Sequence, residues 1–145
     1  MQDFRNLSVW QRARRLTKSV YEMTADFPGS EEFGLKSQMR RATVSICSNI
    51  AEGCGRRGDR EFRRFLDVAM GSACEMECET ILSYDLAFIT EAAQDAILDT
   101  VIQIKANARR SVESFGLGTN PGPASRSVSS GRTARESRRL TRVTN

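Results

Sequence analysis

Five arginines, Arg56, Arg57, Arg60, Arg63 and Arg64, fall within nine residues and are interleaved with Gly55 and Gly58. Glycine-rich backbone leaves amides open to a ligand, and a helix starting near Asp59 adds the positive end of its dipole. Guanidinium groups at this density suit phosphate oxygens. The pattern points to phosphate or nucleic-acid binding, with Arg40 and Arg41 as further cations nearby. Asp59 and Glu61 dilute the charge, and a plain solvated face is the competing reading.

Two other groups of residues have chemical potential. Gln38, Ser45, Asn49 and Glu52 line one flank of the segment before the arginines, and Ser72, Glu75 and Glu79 form a similar polar edge further on. Facing each other, they would make either a ligand or metal pocket or a satisfied structural network, with Arg40 or Arg41 pairing Glu75 or Glu79. The network is the better reading, because buried polar groups require partners in any fold. With no His in the chain, no Glu-x-x-His pair exists for a ferritin-like di-metal site. Cys47, Cys54, Cys74 and Cys78 are spaced C-x6-C and C-x3-C, which matches no usual zinc finger or ribbon. Without a secretory signal they read as reduced thiols. No nucleophile–base pair, phosphate loop or dinucleotide fingerprint is present. NIAEGCGR follows a helix where a phosphate loop would follow a strand. No enzyme activity, cofactor or metal is expected.

Four helices must position these groups. Ser8 is the expected cap of the first, with Val9, Ala13, Leu16, Val20 and Met23 at helical spacing, and Phe27-Pro28-Gly29-Ser30 breaks it. A second is expected from about Phe33 to Glu52. Its seam is Leu35, Met39, Ala42, Ile46, Ile50 and Gly53, and it stops at Gly53-Cys54-Gly55. Asp59 would cap a third reaching Ile89, with Phe62, Phe65, Leu66, Ala69, Ala73, Met76, Ser83, Leu86 and Ala87 inward. Thr90 would cap a fourth, whose seam is Ala93, Ile97, Val101, Ile104, Ala108, Val112 and Phe115. Short connections make neighbours antiparallel, so the expected fold is all-α, an up-down-up-down antiparallel four-helix bundle over residues 1–115. Residues 116–145 are rich in Gly, Ser, Pro and Arg and should form a disordered tail.

The net charge of +4 is misleading for the bundle. The tail has six Arg against one Glu, so the first 115 residues are close to neutral. Nucleic-acid binding must therefore be argued from local clusters rather than from the whole chain. No apolar run approaches the ~20 residues of a membrane span, and the expected location is cytoplasmic. Opposite the inner face of the third helix lie Gly71, Cys74, Cys78, Leu82 and Ile89, with Ile81 and Phe88 beside them. A bundle helix normally shows charge there, so this stripe points to self-association.

The segments LSVWQRARRLTKSVYEMTADFP, FGLKSQMRRATVSICSNIAEGCGR and EFRRFLDVAMGSACEMECE together resemble the four-helix-bundle family of 23S ribosomal RNA intervening-sequence proteins. The accessory variability proteins of diversity-generating retroelements are related to it. The likeness spans residues 7 to 112 and is densest at Gln38-x-Arg40-Arg41-Ala42, Ser45-Ile46 and Asn49-Ile50-Ala51-Glu52-Gly53. It implies a homo-oligomer, a pentameric ring or barrel, and for the retroelement members binding to reverse transcriptase and to nucleic acid through a basic surface. Cys47 and Cys54 stand at variable positions of the pattern. Glu79-Thr80 replaces a common Gln-Leu, which should weaken packing locally. The tail lies outside the likeness.

The expected protein is thus a non-enzymatic homo-oligomeric scaffold that binds RNA or DNA weakly through its arginines. A protein-interaction module holding a partner such as a reverse transcriptase is the alternative. A ligand site at Glu52, Glu75 and Glu79 is a third.

Overall fold

A computed structural model describes residues 3–116. It contains α1 (Ser8–Met23), α2 (Leu35–Gly55), α3 (Asp59–Asp85) and α4 (Glu91–Gly116), with no strand among the described residues. Each helix packs on the next and α4 closes against α1, which is the expected antiparallel four-helix bundle. The expected disordered tail lies, from residue 117 on, outside the described residues.

The core follows the seams. Val9, Ala13, Leu16 and Val20 of α1 meet Met39, Ala42, Ile46 and Ile50 of α2. Phe62, Leu66, Ala69, Ala73 and Met76 of α3 and Ile97, Val101, Ile104 and Ala108 of α4 complete it. Leu16, Met39, Ile46, Ile50, Leu66, Met76 and Ile104 are fully buried, each contributing roughly 1.5–3 kcal/mol relative to exposure. The buried hydroxyls of Thr24, Thr43, Thr80 and Ser83 donate to carbonyls three or four residues earlier. Thr80, which stands where the resembled family commonly has Leu, is fully buried and donates to the Met76 carbonyl at 2.7 Å, so its hydroxyl is not left unmet.

The helix ends differ from the sequence reading. Leu7 caps α1, and Ser8 is its first helical residue. α2 begins at Leu35, whose amide donates to the Glu31 carboxylate at 2.9 Å, while Phe33 stands outside the helix and 94% exposed. α2 also continues through Gly53 to Gly55. Gly53 does not break the helix; it lets α3 approach. A Cβ there would sit 2.9 Å from Phe65 Cβ and 3.2 Å from Phe62 Cδ2.

Gly58, at φ 93°, caps α3 in place of Asp59, which opens the helix. α3 then stops at Asp85, short of Ile89. The Ala87 amide donates to Tyr84 and the Phe88 amide to Ser83, a Schellman closure with Ala87 at φ 59°. Leu86 and Ala87 are therefore exposed rather than inward. Thr90 caps α4 as expected, accepting from the Ala93 amide at 3.2 Å.

Candidate nucleic-acid interface

The α2–α3 connection is only Arg56, Arg57 and Gly58 long. Arg56 leaves α2 in extended backbone, with its amide held by the Gly53 carbonyl at 3.1 Å, and Gly58 turns the chain into α3. Asp59 and Glu61 in the first turn of α3 suit the helix dipole.

The five arginines are not equivalent. Arg56 is paired with Glu52 and stacks over Phe65 at 5.4 Å. Arg64 lies 3.7 Å from Glu61. Arg63 is half-buried, and its Nε has no hydrogen-bond partner. Arg57 and Arg60 are exposed and have no acidic partner among the described residues. These two are the cations most available to a phosphate.

Arg40 and Arg41 do not join the cluster. They precede Arg56 by about four helical turns, roughly 22 Å along α2. Arg40 turns to α1, where Nε donates to Thr24 Oγ1 at 2.9 Å, another guanidinium nitrogen donates to the Tyr21 carbonyl, and the group stacks 4.6 Å over the Tyr21 ring. Arg41 donates to Gln38 on its own helix at 2.9 Å. Neither forms an ion pair with Glu75 or Glu79.

In place of that pair, the topology recruits cations from other helices. In an alternating bundle the start of α1, the end of α2, the start of α3 and the end of α4 share one end. With each helix divided at its middle, residues 3–15, 46–72 and 104–116 hold twelve Arg and Lys against six Asp and Glu. Residues 16–45 and 73–103 hold four against eleven. A near-neutral bundle is thus strongly polar from end to end. The sequence reading used α1 only for its apolar seam and missed Arg12, Arg14 and Arg15. Their RARR run was the available signal, and only the antiparallel register makes it relevant.

The polar edges meet in part. Ser45 and Ser72 hydroxyls lie 2.8 Å apart, and Asn49 Nδ2 donates to the Ser45 carbonyl and hydroxyl at 2.8 and 3.1 Å. Gln38 is engaged by Arg41 of its own helix and Glu52 by Arg56 just past the end of α2, and Glu75 is exposed. Glu79 is half-buried with Oε2 unpartnered. Burial and the charge of Glu75, against an opposing contribution from Arg41, push its carboxyl up to about 7.

Cys47 and Cys54 face inward, and burial pushes both thiols up, the charge of Asp3 adding to the effect at Cys54. Cys74 and Cys78 are exposed on the opposite side of α3. No group of three or more His, Cys, Asp or Glu among the described residues is placed to hold a metal. Gly71, Cys74, Cys78 and Leu82 do share the outer face of α3, where a groove of about 310 Å³ runs between Cys74, Glu77, Cys78, Ile81 and Leu82. Ile89 is not part of that face; it lies beyond the end of α3 and packs on the core. No described helix is long and apolar enough to cross a membrane.

A family model described as 23S rRNA-intervening sequence protein matches residues 5–110. Among solved structures, the chain is similar to a protein of unknown function from the S23 ribosomal protein family of Bacteroides thetaiotaomicron. The two share 20% identity with a TM-score of 0.67, over 72% of this chain and 95% of the other, a likeness that speaks to the fold alone. No curated protein matches the chain.

Proposed function

The chain belongs to the family of 23S rRNA-intervening sequence proteins, and from that premise we propose that it is a non-enzymatic, homo-oligomeric scaffold that binds RNA or DNA weakly through the basic end of its bundle. The observation that carries this reading is the twelve-to-six excess of cations at one end, with Arg57 and Arg60 at its turn lacking an acidic partner among the described residues. Phosphate backbones respond to such local charge irrespective of net charge.

Self-association supplies the strength that a few arginines lack. The outer face of α3 offers exposed Ile81 and Leu82 beside Gly71 and Cys74. In a cyclic assembly, the pentamer implied by the resemblance included, all protomers share one direction about the axis. Every basic end then lies on the same face, and weak sites act together through effective concentration. A partner protein is the second reading, favoured by the same exposed apolar α3 face. The resemblance to retroelement accessory variability proteins would make a reverse transcriptase the candidate.

The test is a titration of labelled structured RNA with the full chain over a salt series, alongside Arg57→Gln/Arg60→Gln. The double variant is expected to reduce the salt slope by about 2, one phosphate contact for each arginine. An unchanged slope removes the assignment. Light scattering of the parent and Leu82→Glu tests the assembly separately; a monomeric parent would remove the scaffold.

A further inference from the structure

A groove of about 580 Å³ runs along the outer side of α1, lined by Arg5, Trp10, Gln11, Arg14, Arg15 and Lys18. Four of the six are cations and none is acidic. Arg5 and Lys18 have loose, exposed partners in Asp3 and Glu22, at 3.7 and 3.8 Å. Arg14 and Arg15 have no acidic partner among the described residues. The wall is ordered by Gln11, whose amide donates to the Arg5 carbonyl at 3.0 Å.

Trp10 is the one tryptophan of the chain and is half-buried in this wall. Phe4 meets it edge-on at 4.9 Å, and the Arg14 guanidinium stands 6.0 Å from its ring. A core position accounts for part of the indole surface. It does not account for a fixed aromatic ring in a groove whose charged lining is entirely positive. That combination, a cationic track with an aromatic platform, is what an unpaired nucleic-acid strand requires: phosphates on arginine and a base on the ring. Bases in a duplex are stacked away from such a ring. An acidic peptide would satisfy the cations and leave Trp10 without a role.

We propose that this groove holds single-stranded RNA or DNA, with an unpaired base stacked on Trp10 and flanking phosphates on Arg14 and Arg15. The proposal rests on the reading of the basic end as a nucleic-acid surface and names the strand form it takes. The groove is contiguous with that end: the segment before α1 packs on α2, and the charge of Asp3 reaches Cys54.

Trp10 supplies its own readout. The full chain is titrated with oligouridylate and oligothymidylate of about 12 nucleotides, a matched duplex and a polyglutamate peptide. Intrinsic tryptophan emission is followed in one arm and anisotropy of end-labelled strands in another. The expected result is saturable quenching by single strands, in step with anisotropy and absent with duplex and polyglutamate. Comparing the two oligonucleotides shows whether the 2′-hydroxyl contributes. Arg14→Gln/Arg15→Gln, both exposed and so tolerable to the fold, should lower the single-strand salt slope by about 1.4. Trp10→Ala should weaken binding about five- to 150-fold, and Trp10→Phe, which keeps an aromatic face, should restore most of it.

Anisotropy binding without a change in emission would overturn this proposal and leave the α2–α3 surface standing. Equal quenching by duplex or polyglutamate would also overturn it. No binding by any strand would remove the reading of the basic end altogether.

Discussion

The two ends of this bundle are built to different standards. At the basic end, α2 and α3 are joined by three residues, Gly53 admits the aromatic rings of α3, and the positive φ of the turn is taken by Gly58. At the acidic end, Phe27 and Phe88 pack at 5.4 Å across two loops, the positive φ falls on Ala87, and Glu79 keeps a buried oxygen without a partner. The first end has its backbone geometry matched to its residues and holds two cations, Arg57 and Arg60, with no acidic partner among the described residues. The second has neutralised less of its own cost. Uncompensated features are informative in opposite ways: exposed unpaired cations cost little and suit a ligand, whereas a strained Ala or an orphaned carboxylate subtracts from stability.

Charge is where the contrast should be largest. Arg57→Glu/Arg60→Glu at the basic end is expected to weaken RNA binding about a hundredfold at low salt, roughly tenfold for each arginine. Asp95→Lys/Asp99→Lys alters the charge of α4 at the other end by as much in the opposite direction, and should leave binding within about threefold of the parent. Effects of equal size and opposite sign, the first swap weakening and the second tightening binding in anisotropy at one ionic strength, would mean that net charge alone attracts the nucleic acid.

Packing comes next. Gly53→Val places branched carbon where even a Cβ stands 2.9 Å from Phe65, so the unfolding free energy should fall by about 2 kcal/mol. Gly55→Ala, two residues on, has open space around it and should change stability little. Urea denaturation of the pair decides whether α2 and α3 approach each other as closely as described. If Gly53→Val is tolerated, the basic end is looser than its geometry implies, and the fixed presentation of Arg57 and Arg60 goes with it.

What the sequence made legible tracks the physics of each feature. Apolar residues at three- and four-residue spacing identified all four helices and nearly every core position, because burial is a property of the residue and its period. Helix ends were less legible. Gly53 reads as a breaker in isolation, and only the approach of Phe62 and Phe65 shows that its missing side chain serves packing. Arg40 and Arg41 looked close to the cluster because they are close in sequence, yet a straight α2 carries them to the other end, where Tyr21 and Thr24 engage Arg40. The converse holds for Arg14 and Arg15. They are distant in sequence from Arg57, and the alternation of helix direction gathers them at the same end. Local clusters were visible along the chain; the sorting of charge between ends required the register of all four helices.

Glu79 offers a smaller effect with a definite sign. Burial and Glu75 raise its carboxyl to about 7 in the folded chain, from an ordinary 4.5. Below 4.5 both folded and unfolded chains hold the proton, so the group contributes no penalty. Between 4.5 and 7 the unfolded chain gives up a proton that the folded chain retains, so stability falls as pH rises and stays reduced above 7. With solvent access to much of the carboxyl allowed for, the loss is about 1 kcal/mol. Glu79→Gln should therefore leave stability at pH 4 nearly unchanged and raise it at pH 8. A variant with the parent's pH dependence would place the titrating group elsewhere at the acidic end.

The smallest expected effect, that of Ala87→Gly, bears on the backbone difference between the two turns. Ala87 sits at φ 59° in the Schellman closure of α3, a conformation that costs an L-residue about 1–2 kcal/mol. Glycine removes that cost but enters with more freedom in the unfolded chain, so Ala87→Gly should stabilise by a net of about 0.5–1 kcal/mol, or roughly 2–5 °C in Tm. Gly58→Ala is the matching swap at the basic end. At φ 93° it should destabilise by about 1–3 kcal/mol. Opposite signs from the two substitutions, read in one calorimetric series, would confirm that each turn holds its positive φ in solution. If Ala87→Gly gave no gain, the α3–α4 turn would have to relax to negative φ, breaking the Phe88-to-Ser83 hydrogen bond and leaving ring packing against Phe27 as the contact that positions Phe88.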